Sequence, residues 1–179
     1  ISACLVGSEM CIRDRLRTFI AAAKRVAPRL GGSWLVVGGP LLSEHELHAL
    51  REQAAGSAIE VRRFSSRLDR RIARSDLVVT MPGYNTTCEL LSGSARAIVV
   101  PRGGPSLEQR IRAAQLERWK RATMLEPLDL DPDALAVAIE STLTAPPPPP
   151  APVPLNGLER AVELFEALAI GESIPLIAG

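Results

Sequence analysis

Apolar residues recur along the chain with alternating helical and strand-like spacing. From Leu16 to Leu30, Phe19, Ile20, Ala23, Val26 and Ala27 return every three or four positions, and Gly31-Gly32 follow, which predicts a helix with a glycine stop. Ser33 to Val37 is a short apolar run bounded by glycines, the pattern of a strand buried on both faces. Pro40 and Ser43 open a second helix with Leu47, Leu50 and Ala54 on one side. The same alternation continues through a strand at Ala58 to Val61, a short helix at Leu68 to Arg74 and a strand at Asp76 to Thr80. A helix from Asn85 to Leu91, a strand at Ala97 to Val100 and a helix from Ser106 to Lys120 come next. A short strand near Ala122 to Leu125 and a helix from Asp131-Pro132 to Leu143 complete the series. Strands alternating with helices predict an α/β fold, a doubly wound and mostly parallel Rossmann-like sheet covered on both faces. Such sheets bind ligands beyond the carboxyl ends of their strands, so the loops after Val37, Val61, Thr80 and Val100 are the places to look.

Both ends of the chain depart from this rhythm. Residues 1–15, ISACLVGSEMCIRDR, begin without Met and fit neither period. The segment resembles a peptide produced when adapter sequence is translated, and reads as non-native, with ACLV as a short genuine strand the structural alternative. Residues 16–144 then form the domain. Residues 145–156 contain APPPPPAPVP, which cannot form a helix or central strand and reads as an extended linker. In residues 157–179, Leu158, Val162, Phe165 and Leu168 lie on one helical stripe. A helix this short is marginal alone, so it needs a docking surface in this domain, an absent half or a second copy.

Composition narrows the function classes. With 46% hydrophobic and 23% charged residues the chain can bury a core, and a net charge of +1 gives no long-range field for polyanions. Arg62, Arg63, Arg67, Arg70, Arg71 and Arg74 cluster, which reads as a solvated face, and 3% aromatics argue against a base-stacking platform. Cys4, Cys11 and Cys88 give neither a disulfide framework nor zinc spacing. Without an apolar run of about 20 residues or a signal-type start, the default location is cytoplasmic.

Chemistry concentrates in two stretches. Met81-Pro-Gly-Tyr-Asn-Thr-Thr-Cys-Glu89 joins a buried strand to a helix, so bare backbone N–H groups and the positive end of the helix dipole favour an anion such as a diphosphate. Gly83 permits a tight turn and close ligand approach, Asn85, Thr86 and Thr87 add donors, and Glu89 can accept hydrogen bonds from a vicinal diol. The competing reading is a capping box, with Thr86 and Glu89 merely closing the helix end. In Val100-Pro-Arg-Gly-Gly-Pro-Ser-Leu-Glu-Gln109, a Gly-rich loop brings Glu108 and Gln109 early into a helix, where they can meet sugar hydroxyls. There the competing reading is that Ser106 caps the helix and Glu108 and Gln109 occupy its first turn. His45-Glu46-Leu47-His48 is one residue short of a zinc motif and reads as an exposed face, no phosphate-binding P-loop occurs, and Cys88 reads as core.

The order of these pieces resembles the glycosyltransferase family 28 C-terminal domain, the donor half of two-domain GT-B enzymes. The nearest likeness is to predicted bacterial members with a GYNT-x-CEL-type segment followed by PR and EQ. Here these are Gly83-Tyr84-Asn85-Thr86-Thr87-Cys88-Glu89-Leu90, Pro101-Arg102 and Glu108-Gln109, followed by Arg112-Ala113. The resemblance spans about Ser33 to Leu143. It implies a UDP-linked donor: Glu89 on the ribose; Gly83, Tyr84, Asn85, Thr86 and Thr87 along the diphosphate; Phe64 and Ser65 beside the base; and Arg102, Glu108 and Gln109 at the sugar. It implies no cofactor and no metal. It also implies a first strand with a phosphate loop at or before residues 1–15, missing or replaced here, and an N-terminal domain holding the acceptor, the base and any peripheral membrane contact, without which the chain should not turn over. Rival readings are a non-catalytic nucleotide-sugar-binding module and half of a UDP-sugar 2-epimerase, separated from the first by the native upstream sequence.

Overall fold

The computed structural model describes residues 10–104 and 106–170. Among the described residues five strands and seven α-helices alternate: α1 (Met10–Leu30), β1 (Trp34–Val37), α2 (Glu44–Ala54), β2 (Ile59–Arg62), α3 (Leu68–Ala73), β3 (Leu77–Thr80) and α4 (Tyr84–Ser92) come first. β4 (Arg96–Val99), α5 (Glu108–Arg118), β5 (Thr123–Met124), α6 (Pro132–Thr144) and α7 (Gly157–Ala169) complete the order.

Side chains alternate across each strand, as a strand covered on both faces requires. Trp34 and Val36 of β1, Leu77 and Val79 of β3, and Ile98 of β4 enter one core with α1, α2 and α6. Val78, Ala97 and Val99 face the other way, into a second core with Ile72 of α3, Leu90 and Leu91 of α4, and Ala113 and Leu116 of α5. Helices therefore cover both faces, the doubly wound arrangement the pattern predicts. Phe19 of α1 meets Trp34 with ring centroids 6.4 Å apart, and the Trp34 indole donates to the Gly31 carbonyl at 3.0 Å.

The expected continuous sheet is interrupted. Among the described residues β1 pairs only with β2, while β3, β4 and β5 form a second ladder. One helical layer spans both ladders, because α1 packs on β1 and β2, α6 packs on β3 and β4, and the two helices pack on each other. The family resemblance puts a first strand in mid-sheet, and ACLV, its candidate replacement, falls outside the described residues.

Other boundaries also shift. α1 starts at Met10, upstream of the expected Leu16, and Arg15 is buried. Its guanidinium donates to the carbonyls of Val100 (3.0 Å) and Pro101 (2.9 Å) at the carboxyl end of β4. The Pro-rich segment is not a free spacer. Ala151 and Val153 pack against the second core, and the buried Arg121 donates to the Pro149 carbonyl and to those of Leu90, Leu91 and Gly93 at the end of α4. A C-terminal helix end leaves carbonyls unpaired, and Arg121 supplies donors to three of them here. α7 exposes Leu158, Val162, Phe165 and Leu168.

Candidate functional site

β3 ends at Thr80, and the buried Met81 and Pro82 carry the chain out of the sheet to α4. Gly83 is the residue preceding the helix, with φ −65° and ψ 161°. Any residue adopts that conformation, so the tight turn expected of Gly83 is not its role. A side chain there would meet nothing within 4 Å, which leaves bare backbone facing open space. No side chain caps the N-terminus of α4. Thr86 and Glu89 lie inside the helix, so the capping-box alternative fails and the first-turn amides stay available. Tyr84 and Asn85 are exposed, Thr86 and Thr87 are half-buried, and the Thr87 hydroxyl is buried without a hydrogen-bond partner.

Glu89 is half-buried further along α4. Burial pushes its carboxyl above the usual carboxylate range, and the nearby charge of Asp69 on α3 pushes it the same way. Phe64, exposed, and Ser65, buried, form the loop leading from β2 to α3, so the segment expected to border a base opens onto the helix that carries Asp69.

The second stretch keeps half of its competing reading, because Glu108 and Gln109 do occupy the first turn of α5. α5 starts at Glu108, its N-cap is Leu107, and no side chain caps it, so Ser106 does not close the helix. Gly104 has φ +135°, a backbone region that favours glycine, which explains the residue at this bend. Arg102, Gly103, Gly104, Ser106, Glu108 and Gln109 line a cavity of about 310 Å³. The Gln109 side-chain oxygen accepts from the Arg102 backbone N–H at 2.9 Å, holding the loop against the helix. Arg112, one turn beyond Glu108, pairs with the Glu108 carboxylate and lies over the Tyr84 ring at 5.9 Å. The two chemical stretches therefore meet through Arg112.

A somewhat larger cavity, about 350 Å³, lies at the opposite end of the sheet, between the Pro-rich segment and the residues that open β4 and β5, Arg96 and Thr123. It contains none of the residues with candidate chemistry, and ligands of parallel sheets bind at carboxyl ends.

Other expectations resolve simply. His48 is exposed and pairs with Glu52 at 3.3 Å. Cys88 is half-buried rather than core. Arg15, Asp69 and Arg112 had no assigned part. Only Arg112 left a local signal, its position four residues after Glu108.

A doubly wound sheet with its chemistry on the loops after β2, β3 and β4 is the Rossmann-like half of a GT-B glycosyltransferase. The chain belongs to the glycosyltransferase family 28 C-terminal domain, whose family model matches residues 19–154. Similar solved structures include MurG of Acinetobacter baumannii, at 16% identity and TM-score 0.66, covering 93% of this chain and 49% of that one. The glycotransferase of kitacinnamycin matches at 18% identity and TM-score 0.59, covering 94% of this chain and 39% of that one. CalG4, the calicheamicin glycosyltransferase, matches at 14% identity and TM-score 0.62, covering 80% of this chain and 34% of that one. The chain thus spans half or less of the length of these structures. No curated protein matches it by sequence. Among the described residues no helix is long and apolar enough to cross a membrane.

Proposed function

We propose that this chain is the donor-binding half of a glycosyltransferase that moves a hexose or N-acetylhexosamine from a UDP-linked donor to an acceptor. The observation that carries this reading is the uncapped start of α4, joined through Arg112 to the cavity at Arg102–Gln109. The Gly83 N–H donates to the Met81 carbonyl, so the amides of Tyr84, Asn85 and Thr86, with Gly83 open beside them and the Thr87 hydroxyl behind, receive the diphosphate. They oppose the negative charge that grows on it as the sugar leaves, an electrostatic task of the oxyanion-hole kind that needs no metal and no cofactor. Glu89 accepts hydrogen bonds from the ribose diol, and Phe64 and Ser65 border the base. Arg102, Glu108 and Gln109 hold the sugar, and Arg112 sets the position of Glu108.

Transfer is a displacement at the anomeric carbon, with a general base taking the proton of the acceptor hydroxyl. In this reading the acceptor site and the base belong to an N-terminal domain outside this chain, so the chain binds donor without turning it over. The assembled enzyme works in the cytoplasm.

Calorimetry tests the proposal. UDP should bind more tightly than ADP or GDP, and Glu89→Ala should weaken it by about 1.5–3 kcal/mol, the scale of hydrogen bonds to a charged group. Equal affinity for the three nucleotides, or an unchanged Glu89→Ala titration, would sink it.

A further inference from the structure

We propose that Arg15 is a positioning residue for the sugar end of the site, clamping the loop after β4 so that Arg102 and Gln109 meet the donor. It touches no ligand itself and acts through the loop. Its sugar role rests on the donor reading, while its hold on the loop does not.

The clamp sits where β4 outruns its ladder. The Val100 N–H still donates to the Thr80 carbonyl at 2.9 Å, and the Val99 carbonyl still accepts from the Leu125 N–H at 3.0 Å. The next two carbonyls, of Val100 and Pro101, lie past the end of the strand. Both residues are buried, and a buried carbonyl left without a donor is costly. Arg15 serves the two together: Nη1 donates to Val100 at 3.0 Å and Nη2 to Pro101 at 2.9 Å. A guanidinium fork spans two neighbouring acceptors in a fixed geometry, which the single ammonium of a lysine does not.

The position of the fork is set from the other side of the sheet. Leu16, the next residue along α1, is fully buried in the first core with α2 and α6, whereas α5 packs in the second core on the opposite face. Arg15 therefore carries the position of one helical layer across the carboxyl end of the sheet to the loop that enters the other layer. The following residue, Arg102, is tied in turn by its N–H to the Gln109 side-chain oxygen at 2.9 Å. Beyond Arg102 come Gly103 and Gly104, which stiffen nothing by themselves, so the shape of the cavity depends on these two ties. Arg15 closes the segment whose pattern reads as non-native, yet its side chain is buried within the fold.

A residue that merely satisfied buried carbonyls would stabilise the fold without favouring a nucleotide-sugar over the bare nucleotide. Arg15→Met, which removes both donors and keeps most of the side chain's length, separates the two roles. In the ligand-free chain, hydrogen exchange at the Arg102 N–H should speed up about tenfold, beyond any change in the β3 amides. In calorimetry a UDP-hexose should bind about tenfold more weakly, while UDP stays within about twofold of the parent. Arg15→Lys should recover part of both effects, and it carries the same comparison should Arg15→Met fail to fold. Unchanged exchange at Arg102, or equal weakening of UDP and the UDP-hexose in a folded variant, would overturn the proposal. A parent chain that binds neither nucleotide would instead sink the donor reading, and with it the sugar role of Arg15, even where the loop loosens as expected.

Discussion

The Arg112 guanidinium stands 5.9 Å from the centre of the Tyr84 ring while pairing with the Glu108 carboxylate. One side chain thus connects the first residue of α4 to the first residue of α5, and with them the diphosphate and sugar ends of the proposed donor site. Arg112→Ala removes both contacts and frees Glu108 to change rotamer. A UDP-hexose should then bind at least tenfold more weakly, the scale of charge-assisted hydrogen bonds at about 1.5–3 kcal/mol, while UDP alone loses less. Arg112→Lys should recover only part of this, because an ammonium lacks the flat fork that stacks on the ring. Titrations of both nucleotides against both variants provide the check.

Glu89 predicts a pH dependence. Its carboxyl is raised first by burial and then by Asp69, so the folded chain holds that proton more tightly than the unfolded chain. Ionising Glu89 therefore opposes folding. The penalty is absent below the ordinary glutamate pKa of about 4.3 and complete above the raised value. Glu89→Gln should raise the melting temperature at neutral pH and leave it unchanged in acid. UDP affinity should fall as pH drops through the raised value, and Asp69→Asn should move that fall to lower pH. Melting curves and titrations across pH measure both.

Packing across the interrupted sheet makes another prediction. Leu135 of α6 is 1% exposed in the core that joins α1 and α2 to both ladders. Leu135→Ala should cost about 2–5 kcal/mol, as buried leucine truncations do. Thermal or urea unfolding should show a single transition moved to lower stability. Separate transitions would mean that the helical layer does not unite the two ladders.

Arg121 tests whether the Pro-rich segment is a strap. Its guanidinium reaches Pro149 and the carbonyls that end α4, and burial lowers its pKa. Arg121→Met strands those carbonyls, and a loss of about 1–3 kcal/mol is expected. Hydrogen exchange should speed up at the end of α4, and Arg121→Lys should restore little.

Much of this architecture was legible in the sequence because parallel strands are short, doubly buried and punctuated. The runs at Trp34–Val37, Leu77–Thr80 and Arg96–Val99 are bounded by Gly, Asp or Pro, and each strand falls within a residue of its predicted limits. Ser43 and Asp131 cap α2 and α6 where the sequence puts those starts, but two other starts were harder. Thr86 and Ser106 have the residue types of caps, but where the chain leaves the sheet places the first turns at Tyr84 and Glu108 instead. What stayed hidden was non-local. Arg15 on Val100, Arg112 on Tyr84, Asp69 near Glu89 and Arg121 on Pro149 all join segments that no periodicity connects. Local spacing also made Cys88 look like core, although the buried side of α4 is set by Leu90 and Leu91.

The most direct test is an amide chemical-shift titration of the chain with UDP. The account predicts that the largest perturbations fall on Gly83 to Thr87 and Glu89, extending to Phe64-Ser65 and, with a UDP-hexose, to Arg102, Glu108 and Gln109. Perturbations centred instead on Arg96 and Arg121 to Thr123, the cavity beneath the Pro-rich strap, would contradict it.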